Sequence, residues 1–169
     1  MRAFRFAVAA VAAFALAQIP GGAMAQTVKQ IQLTEKQVES FVAVQKDLAA
    51  IMQKVQGSPG DKPDPRIRAE VEAAMKKSGF ANLDEYDSVA QNVSLLMSCI
   101  DPKTKAFSEP KVAIQQQIDE LKADKSVPEL QKKQILEGLN AALATAEPIK
   151  FPSNIELVKK YYDKIDSAT

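Results

Sequence analysis

The sequence predicts an all-α protein: a single-domain bundle of five or six helices, preceded by a cleaved signal peptide. Three observations carry that prediction. Apolar residues recur at spacings of three and four, most clearly Leu83, Tyr86, Ala90, Val93, Met97 and Ile100, which share one helix face. The periodic stretches carry start and stop signals, here Asn82 with Glu85 before the stripe and Asp101-Pro102 after it. No run combines period-two alternation with β-branched enrichment, so no strand is expected.

The chain has 169 residues, and residues 1–25 read as an export signal. Arg2 and Arg5 form a short basic start, and Phe6 to Ile19 is an apolar stretch too short to span a bilayer comfortably. Pro20-Gly21-Gly22 breaks it, and Ala23-Met24-Ala25 is the small-x-small pattern of a leader peptidase site, placing cleavage before Gln26. No cysteine stands directly after the apolar stretch, which argues against a lipid anchor. Residues 26–169 then form the helical domain, expected in the periplasm, with no transmembrane span in the mature chain.

Within that domain the helices follow in order. Gln26 to Gln32 is polar and reads as a loose lead-in. Thr34 caps the first helix with Gln37 bonding back, and Leu33 and Val38 can staple across the cap. Its stripe is Val38, Phe41, Leu48, Met52 and Val55, interrupted by Gln45. Residues 57–65 are a glycine- and proline-rich linker, and Asp64-Pro65 opens a short helix with Ile67, Val71 and Met75 inward and Gly79 as its terminator. Few residues separate that helix from the central one, so the two are expected to form an antiparallel hairpin. Ser108 or Glu109 with Pro110 starts a fourth helix, with Val112, Ile114, Ile118 and Leu121 as its apolar residues. Ser126 to Glu129 reads as a capping box for a fifth, built on Leu130, Ile135, Leu136, Leu139, Ala142 and Leu143. Gly138 inside it costs roughly 1 kcal/mol relative to alanine. Ser153 with Glu156 reads as a box for the last helix, whose residues Ile155, Val158, Tyr162 and Ile165 face one way and Leu157 and Tyr161 another, so it is expected to pack on two neighbours.

Composition excludes several chemistries. There is no histidine, which removes Ser-His-Asp and Cys-His nucleophile systems, His-based zinc sites and histidine-ligated haem. Cys99 is the single cysteine, so no intramolecular disulfide forms. Without Arg2 and Arg5 the domain holds 20 basic and 21 acidic residues. Nucleic acid is therefore not an expected partner, because its binders carry a strong basic field. The loop acids Asp61, Asp64, Asp101 and Glu109 lack the alternating pattern and spaced glutamate of a calcium loop. Asp84, Glu85 and Asp87 suit a helix N-terminus. No cofactor, metal or catalytic residue is assigned, and the reading is that of a non-enzyme.

Leu95 and Cys99 point away from the central stripe, which predicts cover on a second side, from the last two helices. Left open to solvent, that flank would be a partner surface. Cys99 has no basic neighbour to lower its pKa and reads as a buried, inert thiol. The linker aromatics Phe80, Phe107 and Phe151 and the pair Tyr161-Tyr162 either pin the linkers to the core or line a ligand pocket. The possible ligand or partner surface thus comprises Leu95, Cys99, Phe107, Phe151, Tyr161 and Tyr162.

Leu33-Thr34-Glu35-Lys36-Gln37 resembles one copy of the Leu-Thr-x-x-Gln element of the Spy/CpxP family, small helical periplasmic proteins with chaperone-like or envelope-stress roles. The second copy and the basic, methionine-rich character of that family are missing. A set of small secreted proteobacterial proteins of unassigned function is similar over most of the domain, through Gly79-Phe80, Leu83-Asp84-Glu85-Tyr86 and Asn92, and through Phe151-Pro152, Asn154-Ile155 and Tyr161-Tyr162. This second resemblance implies no activity. Together the observations point to an interaction or chaperone-like module whose partners are periplasmic or envelope proteins. The alternative is a carrier of a small apolar or aromatic ligand held between helices.

Overall fold

The computed structural model describes residues 28–55 and 65–169. The leader, its cleavage before Gln26 and the capping role of Asp64 lie outside the described residues. Six helices follow one another: α1 (Glu35–Val55), α2 (Pro65–Ser78), α3 (Leu83–Ser98), α4 (Pro110–Ala123), α5 (Glu129–Thr145) and α6 (Ser153–Ala168). The chain is all-α, and no strand occurs among the described residues.

The start of α1 is built as expected. Thr34 Oγ1 accepts the Gln37 N–H at 3.3 Å, and Gln37 Oε1 accepts the Thr34 N–H at 3.0 Å, while Leu33 and Val38 are both buried. Further along, Val44 and Ile51 are buried as well, outside the expected stripe, because α2, α3 and α6 all pack against α1. The polar interruption Gln45 is only partly buried, and its amide donates to the Tyr86 hydroxyl at 3.4 Å. Gly79 ends α2 in the left-handed region, at φ 102°, where only glycine sits without strain.

Helix α3 touches α1, α2, α4 and α6, which makes it the central helix. Asn82 Oδ1 accepts the Glu85 N–H at 2.9 Å, but the Glu85 carboxylate reaches back one residue beyond the expected box, accepting the Ala81 N–H at 2.8 Å. Phe41 stacks on Tyr86 with ring centres 6.0 Å apart, and Phe80 meets the same ring edge-on at 5.5 Å. The chief neighbour of α2 is α1 rather than α3. The two run antiparallel, with Lys77 paired to Asp47 at 3.0 Å and Gly79 beside Ser40. Cover of the Leu95/Cys99 side from both of the last two helices is not found, because α3 touches α6 and α4 but not α5.

Three further expectations are corrected. The lead-in is not loose: residues 29–33 form an extended strap held by two buried asparagines. Asn92 Oδ1 accepts the Ile31 N–H at 3.0 Å and its amide donates to the Lys29 carbonyl at 2.9 Å. Asn154 Oδ1 accepts the Leu33 N–H at 2.9 Å and its amide donates to the Ile31 carbonyl at 2.8 Å. The two side chains thus stand in for a neighbouring strand, satisfying backbone groups that burial would otherwise orphan. Next, Ser126 does not cap α5. Its N–H and hydroxyl both go to Asp124 Oδ1, at 2.7 and 2.6 Å, and Pro128 sits at the cap position. Finally, Ser153 lies inside α6 after Pro152, with no side-chain cap bond.

Helix α6 does pack on two neighbours, α1 and α3. Val158, Tyr161, Tyr162 and Ile165 are buried there, with Asn154 at its start. The core runs through α1, α2, α3 and α6. Helices α4 and α5 pack chiefly on each other as a hairpin, joined to the body where α4 meets α3. In α4, Pro110, Ala113, Ile118 and Leu121 are buried, while Val112, one of its four apolar residues by sequence, is exposed. Helix α5 buries no residue.

Candidate functional site

The six residues singled out from sequence fall at the end of α3, in the α3–α4 connection, just before α6 and within α6. Leu95 is half-buried and Cys99 is 3% exposed, at the end of α3. Burial pushes the Cys99 thiol pKa up, which disfavours the thiolate. Phe107 is half-buried in the α3–α4 connection, where its backbone pairs with Ile100 in a single antiparallel bridge. That connection is tightly folded. Asp101 Oδ1 accepts the N–H groups of Lys103 and Thr104 and the Thr104 hydroxyl, and these bonds hold its pKa low. Phe151 is half-buried just before α6. Phe107 packs against the core cluster from its connection.

Tyr162 is buried beneath Lys105, whose ammonium lies 3.6 Å from the ring centre and 2.7 Å from Asp163 Oδ1. Tyr161 belongs to a different environment. Its hydroxyl lies 2.7 Å from both Glu35 Oε1 and Glu39 Oε1, and its one proton serves one carboxylate at a time. The bond to Glu35 first, then that to Glu39, raises the Tyr161 pKa well above that of a free phenol. Glu35 also accepts from Lys160, and the Lys160 and Tyr161 bonds lower its pKa. The cluster clasps the first turns of α1 to the middle of α6.

Sequence reasoning missed the surface next to this clasp. Helices α1 and α6 run side by side in the same direction, since Leu33 meets Asn154 and Glu39 meets Tyr161. Between them lie two open hollows of about 500 and 170 Å³. Val42, Ala43, Ala49 and Ala168 supply the apolar lining, Lys46 and Lys164 stand over it, and Glu39 and Tyr161 mark the clasp end. Leu95, Cys99, Phe107, Phe151 and Tyr162 line neither hollow. The available signal was the face Val42, Lys46, Ala49, which falls outside the main stripe of α1.

A second surface is the α4–α5 hairpin. Leu130 is 73% exposed and Ile135 47% on α5, and Val112 is 50% exposed on α4. Among the described residues no group of three or more Cys, Asp or Glu side chains is placed to hold a metal ion, and no helix is long and apolar enough to cross a membrane. Comparison with family models, with curated proteins and with solved structures finds no match to this chain.

Proposed function

We propose that this chain is a non-enzymatic interaction module of the cell envelope, working in the periplasm in the manner of a chaperone. One observation carries the reading: a well-satisfied four-helix body presents a two-helix hairpin whose outer helix buries nothing. Leu130, Ile135 and Val112 are spread singly over that hairpin among side chains of both signs. Such a surface suits weak, repeated contact with the apolar segments of an incompletely folded polypeptide. The export signal supports the compartment, and the absence of histidine leaves few side chains to act as general base or nucleophile at neutral pH. Glu85, Asp101, Asp124, Glu35 and Tyr161 have pKa values shifted chiefly by structural bonds at helix caps, loops and the α1–α6 clasp, while those of Tyr86, Asp87 and Tyr162, within α3 and α6, are raised chiefly by burial.

The test is suppression of light scattering by a heat-unfolded client. At near-stoichiometric ratio the protein holds the client soluble, and Leu130→Ser with Ile135→Ser reduces the effect without loss of helicity by circular dichroism. No suppression, together with no partner crosslinked in periplasmic extract, overturns the proposal.

A further inference from the structure

We propose that the groove between α1 and α6 binds a small anionic amphiphile, a carboxylate or phosphate head carrying an apolar tail. This goes beyond the interaction reading and stands on a different face of the molecule. It also places ligand binding away from the aromatic connections, where the hollows do not lie.

Three features argue for the ligand class. The larger hollow, about 500 Å³, falls within the range of small-ligand sites, roughly 300–1,000 Å³. Its lining is mostly apolar, from Val42, Ala49 and Ala168, while its charged lining groups are Lys46 and Lys164, both cations. These two lysines are also unspent. Lys160, one turn before Lys164, is bound to Glu35, and Lys159, Lys105 and Lys77 are paired with carboxylates. Lys46 and Lys164 form no ion pair among the described residues, and Lys164 has only the Tyr161 ring, 5.2 Å away. Glu39, the one acid on the groove, stands at the far end and is engaged by the Tyr161 hydroxyl at 2.7 Å. The groove is thus polarised along its length. An anionic head is drawn to the lysines and repelled by the clasp, so the tail lies toward Ala49 and Ala168. A cationic or neutral amphiphile gains nothing from the lysines, and a bare anion gains nothing from the floor.

The experiment is titration of the ¹⁵N-labelled full domain with decanoate below its micelle concentration. Acetate, decanol and decyltrimethylammonium are run in parallel. The expected result is saturable shifts at Ala43, Lys46, Ala49, Lys164 and Ala168 with decanoate alone, and the same with decyl phosphate. Lys46→Glu with Lys164→Glu weakens decanoate binding about tenfold, in keeping with the loss of two exposed charge contacts. Both side chains are exposed, so the fold survives the change. Ala49→Phe, which fills the groove without altering charge, abolishes the shifts. Equal binding of acetate, of decanol or of the cationic amphiphile overturns the proposal. So do shifts confined to the α4–α5 hairpin, and so does decanoate binding that neither variant alters.

Discussion

The body and the hairpin are made from similar helices and fold on different terms. In the body, α1, α2, α3 and α6 share one core, where Val38, Val44, Val89, Val93, Leu96 and Val158 are all 2% exposed or less. In the hairpin, α4 keeps a buried row of Ala113, Ile118 and Leu121, but α5 leaves even its inward leucines, Leu136, Leu139 and Leu143, half-covered. The difference lies in the number of neighbours rather than in residue type. A helix with one partner can cover one stripe at most, and α5 touches α4 alone. Stability is therefore concentrated in the body, and apolar surface is left for contact on the hairpin.

Truncation gives the widest separation between the two regions. Leu96→Ala removes a buried side chain from the body and should cost about 3 kcal/mol. Leu139→Ala, half-covered on α5, should cost about 1 kcal/mol. Urea denaturation measures both, and equal costs would break the distinction. The strap sharpens it on the body side. Asn92→Ala or Asn154→Ala strands two backbone groups each, which should cost about 2 kcal/mol. Hydrogen exchange should then show faster amides at Ile31 and Leu33 while α4 and α5 are unchanged.

The glycines offer a change of sign. Gly138 lies within α5 with no atom within 4 Å of an added Cβ, so Gly138→Ala should stabilise the hairpin by about 1 kcal/mol and slow exchange in α5. At Gly79 the backbone φ is +102° and Ser40 Oγ stands 3.2 Å from an added Cβ, so Gly79→Ala should lower the melting temperature of the body. The smallest effect is acid sensitivity. The Glu35 pKa is lowered in the folded state by its bonds to Lys160 and Tyr161. Its contribution is therefore present above the ordinary glutamate pKa and fades as pH falls through the lowered folded value. Glu35→Gln should flatten that part of the stability–pH curve. In the hairpin, Asp124 has a pKa lowered by Ser126, so Asp124→Asn should flatten the same acid range through α4–α5 exchange alone.

Helix positions were largely legible because periodicity and prolines are local. Thr34, Asn82, Gly79 and Pro110 stand at helix ends as the pattern implied. Ser126 and Ser153 carried the same cap pattern and did not act on it. A proline falls at the cap position before α5 and α6, and Asp124 claims both Ser126 donors. The strap was not legible, since its partners lie 61 and 121 residues away and a polar stretch has no periodicity to betray it. Asn92 and Asn154 were conspicuous only within the resemblance to secreted proteins, and their role at the strap gives those positions a physical meaning. The α1–α6 groove was hidden for a similar reason: it is made by two helices far apart in sequence, and neither half looks unusual alone.

The strap also sets an order of events. Its residues are synthesised before any helix, yet the side chains that receive them arrive on α3 and, last of all, on α6. Such contacts across most of the chain are slow to form, because a long loop must close before they repay its entropy. The strap's bonds to Asn92 can form once α3 is in place, but those of Leu33 and the Ile31 carbonyl to Asn154 must wait until the trailing helix has been delivered. A chain truncated before Asn154 would therefore hold its leading end by Asn92 alone, with the Leu33 N–H and the Ile31 carbonyl left without these partners.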